Sequence, residues 1–393
     1  MSGRTGRNSA TQAQPERVML VGVMLDKEGT GSSAACLSGF QTALAEAVEL
    51  VKAAGGDPVL VETAKRDRPH TALFVGTGKV EELAADVAAN SIDLVVFNHE
   101  LTPTQERNLE KELKCRVLDR VGLILAIFAR RARTQEGRLQ VELAQLSHLA
   151  GRLIRGYGHL QSQRGGIGMK GPGETKLETD RRLIAHRINV LKRQLANLKK
   201  QRALRRKPRE SGGIKTFALV GYTNVGKSTL FNCLTKAGAY AQDQLFATLD
   251  TTARRLYINP ECSIILTDTV GFVSDLPHKL ISAFSATLEE TAQADVLLHV
   301  VDASAPGKEQ QIEDVESVLR EIKADHIPCI RVYNKTDLLP SEDRNTGIQR
   351  DGRGRIAAVY LSAEEKTGIN ALRDAVAEYC AAMPTTDDKT KTP

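Results

Sequence analysis

One octapeptide limits the fold more than any other feature of this 393-residue chain. Gly221-Tyr222-Thr223-Asn224-Val225-Gly226-Lys227-Ser228 fits the spacing GxxxxGK[ST], with Thr229 next in line. It follows the apolar run Phe217 to Val220 and opens a helical pattern, the context that a phosphate loop requires. In such a loop, backbone N–H groups turn inward around the phosphates and the helix dipole adds positive potential. Lys227 reaches the β and γ phosphates, and Ser228 offers an oxygen to Mg²⁺.

The surrounding sequence supplies the rest of a nucleotide site in order. From Thr216 onward, apolar strands alternate with helical patterns, which predicts an α/β domain over 214–383. One predicted strand ends in Asp268-Thr269-Val270-Gly271, where the acid is placed to hold the Mg²⁺ shell and the Gly271 amide to bond a γ-phosphate. Thr248, between the first helix and the next strand, stands where a switch threonine would close over Mg²⁺ and γ-phosphate, although a loop threonine alone carries no such meaning. Asn334-Lys335-Thr336-Asp337 follows a strand. A carboxylate there accepts two hydrogen bonds from guanine N1–H and its exocyclic amine, whereas adenine would leave it unpaired. Ser362-Ala363, after the last strand, is the expected backbone contact to guanine O6. These pieces together predict GTP and GDP as ligands, with Lys227, Thr248 and Gly271 acting on the reacting phosphate. Phe272 occupies the place where many signalling GTPases carry a water-orienting glutamine, so intrinsic hydrolysis is expected to be slow and assisted by a partner.

The first half reads differently. After a polar tail over 1–17, the segment 18–120 alternates short apolar runs with helical patterns and predicts a small doubly wound α/β domain. Within it Ala72 to Val75 reads as a strand and Gly76-Thr77-Gly78-Lys79 as the tight turn into a helix. Over 121–210, Leu139, Leu143, Leu146, Ala150 and Leu153 recur at helical steps, as do Ile184, Ile188, Leu191, Leu195 and Leu198. Two such seams predict an antiparallel helical hairpin. Gly156 to Gly173, with seven glycines, makes a long tip loop carrying His159, Arg164 and Lys170, and Lys207 to Gly213 is expected to end the second helix as a linker. The formal net charge is +6, yet Arg181 to Arg209 alone holds twelve Lys and Arg and no acid. The basicity is one local feature, either a solvated helix or a polyanion-binding arm. Six scattered cysteines predict reduced thiols and a cytoplasmic location. The longest apolar run, Val121 to Ala129, is too short for a membrane span, and a polar tail over 384–393 closes the chain.

Three unusual strings go beyond the phosphate loop: Phe97-Asn98-His99-Glu100-Leu101-Thr102-Pro103-Thr104-Gln105-Glu106-Arg107-Asn108-Leu109, Glu136-Gly137-Arg138-Leu139-Gln140-Val141-Glu142-Leu143-Ala144-Gln145-Leu146, and Gly165-Gly166-Ile167-Gly168-Met169-Lys170-Gly171-Pro172-Gly173-Glu174-Thr175. In them the chain resembles the HflX family of ribosome-associated GTPases, within the Obg-HflX superfamily of phosphate-loop GTPases. The resemblance implies an amino-terminal α/β domain and a hairpin whose tip enters the large ribosomal subunit. It also implies GTP-dependent contact with ribosomal RNA, separation of stalled particles under stress, and hydrolysis for release by a monomer. Ala126 and Thr251 depart from the family pattern, which more often has an acid and a proline there. Asn224 stands where related GTPases use the side chain to hold K⁺, although an asparagine that merely stabilises the loop is equally compatible. Two other readings stay open: a regulatory GTPase acting on a protein partner with no ribosome involved, and a tRNA-modifying enzyme, for which no catalytic cysteine motif is present.

Overall fold

The computed structural model describes residues 15–25, 34–156, 172–210, 214–235, 245–246, 248–249, 251–260, 262–273 and 285–382. It divides into two compact units, Met1–Leu123 and Ile124–Pro393.

The first unit runs β1 (Arg17–Leu25), α1 (Ala34–Ala54), β2 (Asp57–Arg66), α2 (Thr77–Ala89), β3 (Leu94–Phe97), α3 (Pro103–Leu113) and β4 (Arg116–Leu118). Its sheet is parallel throughout, in the order β2-β1-β3-β4. The central strand β1 is buried from Val18 to Val23, as expected for a strand covered on both faces. Met19, Val21, Phe97, Leu83 and Leu109 meet in the core, each side chain stabilising the fold by about 2 kcal/mol. The start of α3 follows from its sequence: Thr102 and Gln105 form a reciprocal capping box, Pro103 occupies the first turn, and Gln105, Leu109 and Leu113 make the buried stripe. One expectation is corrected here. Ala72 to Val75 is no strand; it is a turn pinned by a bridge between His70 and Phe74, and β2 takes the strand position at more than three times the length of its Val59 to Val61 apolar run. Phe74 and Val75 are buried in the core with Val95 and Phe97, and Leu73 packs against it, a burial that looks like strand hydrophobicity in the sequence.

In the second unit, which α4 (Arg120–Arg131) enters, α5 (Gln135–Gly156) and α6 (Pro172–Glu210) form the antiparallel hairpin. Glu142 pairs with Arg187 at 2.7 Å and Glu136 with Arg202 at 2.9 Å. On α6 the seam Ile184, Ile188, Leu191, Leu195 and Leu198 is the least exposed stripe of the arm, with Leu191 fully buried. On α5 the most buried positions are Gln140, Val141 and Ala144, while Leu139, Leu143 and Leu146, expected to form the seam, are half-buried. Helix α6 also continues through Lys207-Pro208-Arg209, where a linker was expected: near the end of 39 residues, a proline forfeits little of the hydrogen-bond ladder. The glycine-rich stretch 157–171 lies outside the described residues, as does 211–213 of the expected linker.

The remainder comprises β5 (Lys215–Val220), α7 (Lys227–Thr235), β6 (Thr252–Tyr257), β7 (Ser263–Asp268), α8 (Ser285–Ala292), β8 (Val296–Asp302), α9 (Lys308–Glu321), β9 (Cys329–Asn334), β10 (Gly347–Arg350), β11 (Ile356–Tyr360) and α10 (Ile369–Ala382). The sheet order is β10-β11-β9-β8-β5-β7-β6, with β10 and β6 antiparallel at the two edges. Strand β10 has no counterpart in the sequence reading; its burial pattern is half-exposed to exposed and gives little periodic signal. Strands β5, β7, β8, β9 and β11 are parallel, so their C-terminal ends share one edge, which collects the residues singled out above.

Candidate nucleotide site

A cavity of about 560 Å³ opens at that edge, lined in part by Thr223, Lys227, Thr248, Gly271, Asn334 and Asp337. Strand β5 delivers the chain to Gly221, and the loop turns over to enter α7 at Lys227. Gly226 has φ +90°, and a Cβ there would sit 2.3 Å from Asn334 Nδ2, so no other residue fits. Asn224 is left-handed at φ 60°, a conformation that asparagine tolerates better than most residues, and it is exposed at the lip of the loop. Tyr222, Thr223 and Val225 are buried beneath it, and Ser228 and Thr229 line the cavity.

Lys227 Nζ donates to the carbonyls of Gly221 at 3.0 Å and Tyr222 at 2.5 Å. Burial brings its pKa down to about 8, against the opposing pull of the Asp268 carboxylate. Because the folded value lies below the ordinary 10.5, the unfolded chain binds more protons between the two, and this group's contribution to stability rises as pH climbs through that window. A phosphate placed beside Nζ would favour the charged form, and its binding would then take up a proton. Between about pH 7 and pH 9, GTP affinity should fall with rising pH, and titration calorimetry in buffers of different ionisation enthalpy should show uptake of roughly half a proton or more at the alkaline end. Affinity independent of pH and of buffer would contradict this role for Lys227.

Three oxygens converge beside the lysine. Ser228 Oγ lies 2.7 Å from Thr248 Oγ1 and donates to Asp268 Oδ2 at 2.8 Å, and Thr248 Oγ1 donates to the same carboxylate oxygen at 2.9 Å. Burial raises the pKa of Asp268, opposed by the bond from Ser228, the charge of Lys227 and the bond from Thr248. Its other oxygen, Oδ1, is buried without a hydrogen-bond partner. A hard divalent cation suits that donor set: hydroxyl and carboxylate oxygens with one lone-pair site left over. Deeper in the same edge, His299 of β8 is held down to about pKa 4 by burial and by the charges of Arg331 and Lys227, so it stays neutral under the loop.

The segment after β7 is zipped to the phosphate loop. Thr223 N donates to Phe272 O at 2.7 Å, and Phe272 N donates to Gly221 O at 3.1 Å. A Cβ on Gly271 would stand 2.8 Å from Thr223 Cγ2 and 3.0 Å from Lys227 Nζ, so glycine is required for this approach. The Phe272 side chain is 1% exposed and packs in the core with Leu288 and Leu297.

At the far end, Asn334 does more than its place in the sequence reveals. Its Nδ2 donates to Val225 O at 2.9 Å and its Oδ1 accepts from Ala363 N at 2.9 Å, so one side chain ties the phosphate loop to the segment after β11. Lys335 is left-handed and pairs with Asp302 at 2.8 Å. Asp302 was missed by sequence reasoning, although an acid closing an apolar strand beside an alternating domain was the available signal. Ser362 is fully buried, with Oγ accepting from Glu365 N, and Asp337 Oδ1 is buried without a hydrogen-bond partner. Phe246, Leu338 and Glu364 also line the cavity without having been foreseen.

The GTPase HflX of Escherichia coli (strain K12) is 52% identical over 335 residues, covering 85% of this chain and 78% of that protein. The GTPase HflX of Magnetococcus marinus is 47% identical over 363 residues, covering 92% and 82% respectively. The chain belongs to the HflX family. As an HflX GTPase it binds and hydrolyses GTP. Three family models match along its length: GTP-binding GTPase N-terminal over 41–129, GTP-binding GTPase Middle Region over 131–209, and 50S ribosome-binding GTPase over 216–335. The crystal structure of the SsGBP and GDP complex shares the fold, with TM-score 0.50 and 23% identity over 93% of this HflX chain and 98% of that one. Among the described residues, no helix of this HflX protein is long and apolar enough to cross a membrane.

Proposed function

We propose that this HflX GTPase docks on the large ribosomal subunit in its GTP-bound form, through the amino-terminal domain and the helical hairpin, and separates stalled particles, with hydrolysis permitting release. Within the nucleotide site, Ser228, Thr248 and Asp268 are the residues that would hold Mg²⁺, which supplies charge neutralisation between the β and γ phosphates. Lys227 stabilises negative charge on the same phosphates, the Gly271 amide faces the γ-phosphate, and Asn334, Lys335, Asp337, Ser362 and Ala363 select and orient guanine. Asn224 is proposed to lend its side chain to K⁺, with its left-handed backbone the competing reason for an asparagine there.

The observation that carries the ribosomal reading is the charge distribution on α6. Its apolar seam is turned inward, while Arg181, Arg182, Lys192, Arg193 and Lys200 stand exposed along the arm. Cationic groups spread along one long helix suit an extended nucleic-acid backbone better than the compact acidic patch of a protein partner. The description of the model matching 216–335, a 50S ribosome-binding GTPase, points the same way.

Cosedimentation with purified large subunits tests the reading. Retention should be strong with a non-hydrolysable GTP analogue and weak with GDP. Replacing Arg193, Lys199 and Lys200 together by Gln leaves the seam intact and should reduce the log-log salt slope by up to about 2.1 to 2.7, at roughly 0.7 to 0.9 per lost phosphate contact, with GTP affinity unchanged. Equal retention in both nucleotide states, or an unchanged salt slope in the triple variant, would favour a regulatory GTPase acting on a protein.

A further inference from the structure

Two contacts join helices α4 and α6 to segments beside the nucleotide cavity. The first is aromatic. The rings of Phe128 and Phe246 meet edge to face, 4.7 Å between centroids and 79° between planes. Phe246 lies two residues before Thr248, lines the nucleotide cavity and is 2% exposed. Its φ of 54° is a region that a bulky side chain occupies rarely, and only where its surroundings hold it. Phe128, equally buried, is near the end of α4, the helix that leads directly into the hairpin.

The second contact is ionic. Arg202 on α6 spans two carboxylates, Glu136 of α5 at 2.9 Å and Glu290 of α8 at 3.2 Å. Helix α8 is the first described element after Asp268 to Val273. The planar guanidinium fork serves two carboxylates at once, a geometry that a lysine ammonium reproduces poorly. The Glu136 side chain is 11% exposed and that of Glu290 23%, while Arg202 at 37% keeps contact with solvent, so the bridge is partly screened by salt.

We propose that Phe128 and Arg202 are positioning residues for GTP hydrolysis: Phe128 holds Phe246, and through it the placement of Thr248, while Arg202 holds α8, whose Leu288 packs in one core with Phe272, the residue after Gly271. The arm and the nucleotide site then report to each other through these two side chains. The proposal rests on the reading of Thr248 as the switch threonine. GDP lacks the γ-phosphate that Thr248 and Gly271 would meet, so loss of positioning alters GTP turnover and leaves GDP affinity nearly untouched.

The test compares steady-state GTP hydrolysis and GDP affinity in the full chain for Phe128→Ala, Phe128→Leu, Arg202→Gln, Arg202→Lys and Thr248→Ala. Phe128→Ala should lower kcat about ten-fold and Arg202→Gln about five-fold, with Phe128→Leu and Arg202→Lys intermediate and GDP affinity within about two-fold of wild type throughout. In a Thr248→Ala background, Phe128→Ala should cost little more, since a residue acting through Thr248 has nothing left to position. Wild-type kcat in Phe128→Ala and Arg202→Gln overturns the proposal, as does parallel loss of GDP and GTP affinity in the milder Phe128→Leu and Arg202→Lys. If Thr248→Ala retains wild-type turnover, the switch reading falls and this proposal with it. If Thr248→Ala loses turnover while the Phe128 and Arg202 variants keep it, only the positioning role falls.

Discussion

Asp337→Asn is expected to lower GTP affinity by about two to four orders of magnitude and to raise affinity for xanthosine triphosphate. In the proposed assignment the carboxylate accepts from guanine N1–H and the exocyclic amine, two charge-assisted bonds worth about 1.5–3 kcal/mol each. An amide at this position presents a donor to the guanine amine, while xanthine offers a carbonyl oxygen there to receive it. The pocket is rigid enough for the exchange to be read cleanly. Residue 337 follows the left-handed Lys335, whose ammonium is anchored on Asp302, and Asn334 is locked between Val225 and Ala363. Competition between the two triphosphates against a fluorescent guanine nucleotide measures the effect, and GTP preference surviving in Asp337→Asn would remove this residue from base recognition.

Lys227→Ala should reduce kcat by about 10² to 10³ and weaken GTP binding by at least about ten-fold, the range found when a single preorganised charge at a reacting group is removed. The ammonium sits on the Gly221 and Tyr222 carbonyls within reach of the Asp268 charge. Alanine leaves the Tyr222 carbonyl without this donor and the Gly221 carbonyl with Phe272 N, and takes away the only positive side chain buried in the phosphate loop itself, Gly221 to Ser228. Single-turnover hydrolysis with protein in excess separates chemistry from binding, and an unchanged circular dichroism spectrum excludes unfolding as the cause. Hydrolysis at the wild-type rate would leave the phosphate loop without a catalytic lysine.

Much of the site was legible because its parts are local. The phosphate loop is a strand, a turn and a helix start within one short stretch, and its glycines are dictated by the backbone they must form. Residues such as Asp268, Asn334 and Ser362 could be placed at strand ends from apolar runs alone, because parallel strands leave their C-terminal ends along one edge. The seam of α6 was equally legible, since a 3.6-residue period states which face is buried, and Leu191 is fully buried on that face.

What the chain could not state locally is what meets across the fold. The strand pattern gives no sheet order, and only that order sets Asn334 against Val225, 109 residues away, where it bridges the loop to the segment after β11. The turn at 72–75 has the hydrophobicity of a strand because burial selects apolar residues whatever the backbone does, and α6 runs through Pro208 because its length absorbs one lost hydrogen bond. The pairing of Phe128 with Phe246, and of Arg202 with Glu136 and Glu290, depends on where α4, α5, α6 and α8 come to rest. By itself the sequence determined the chemistry available at each strand end, since that chemistry resides in single residues and short spacings. Tertiary structure alone decided which of those residues share an oxygen, a ring contact or a carboxylate, since that depends on packing between segments whose separation along the chain carries no periodic signal.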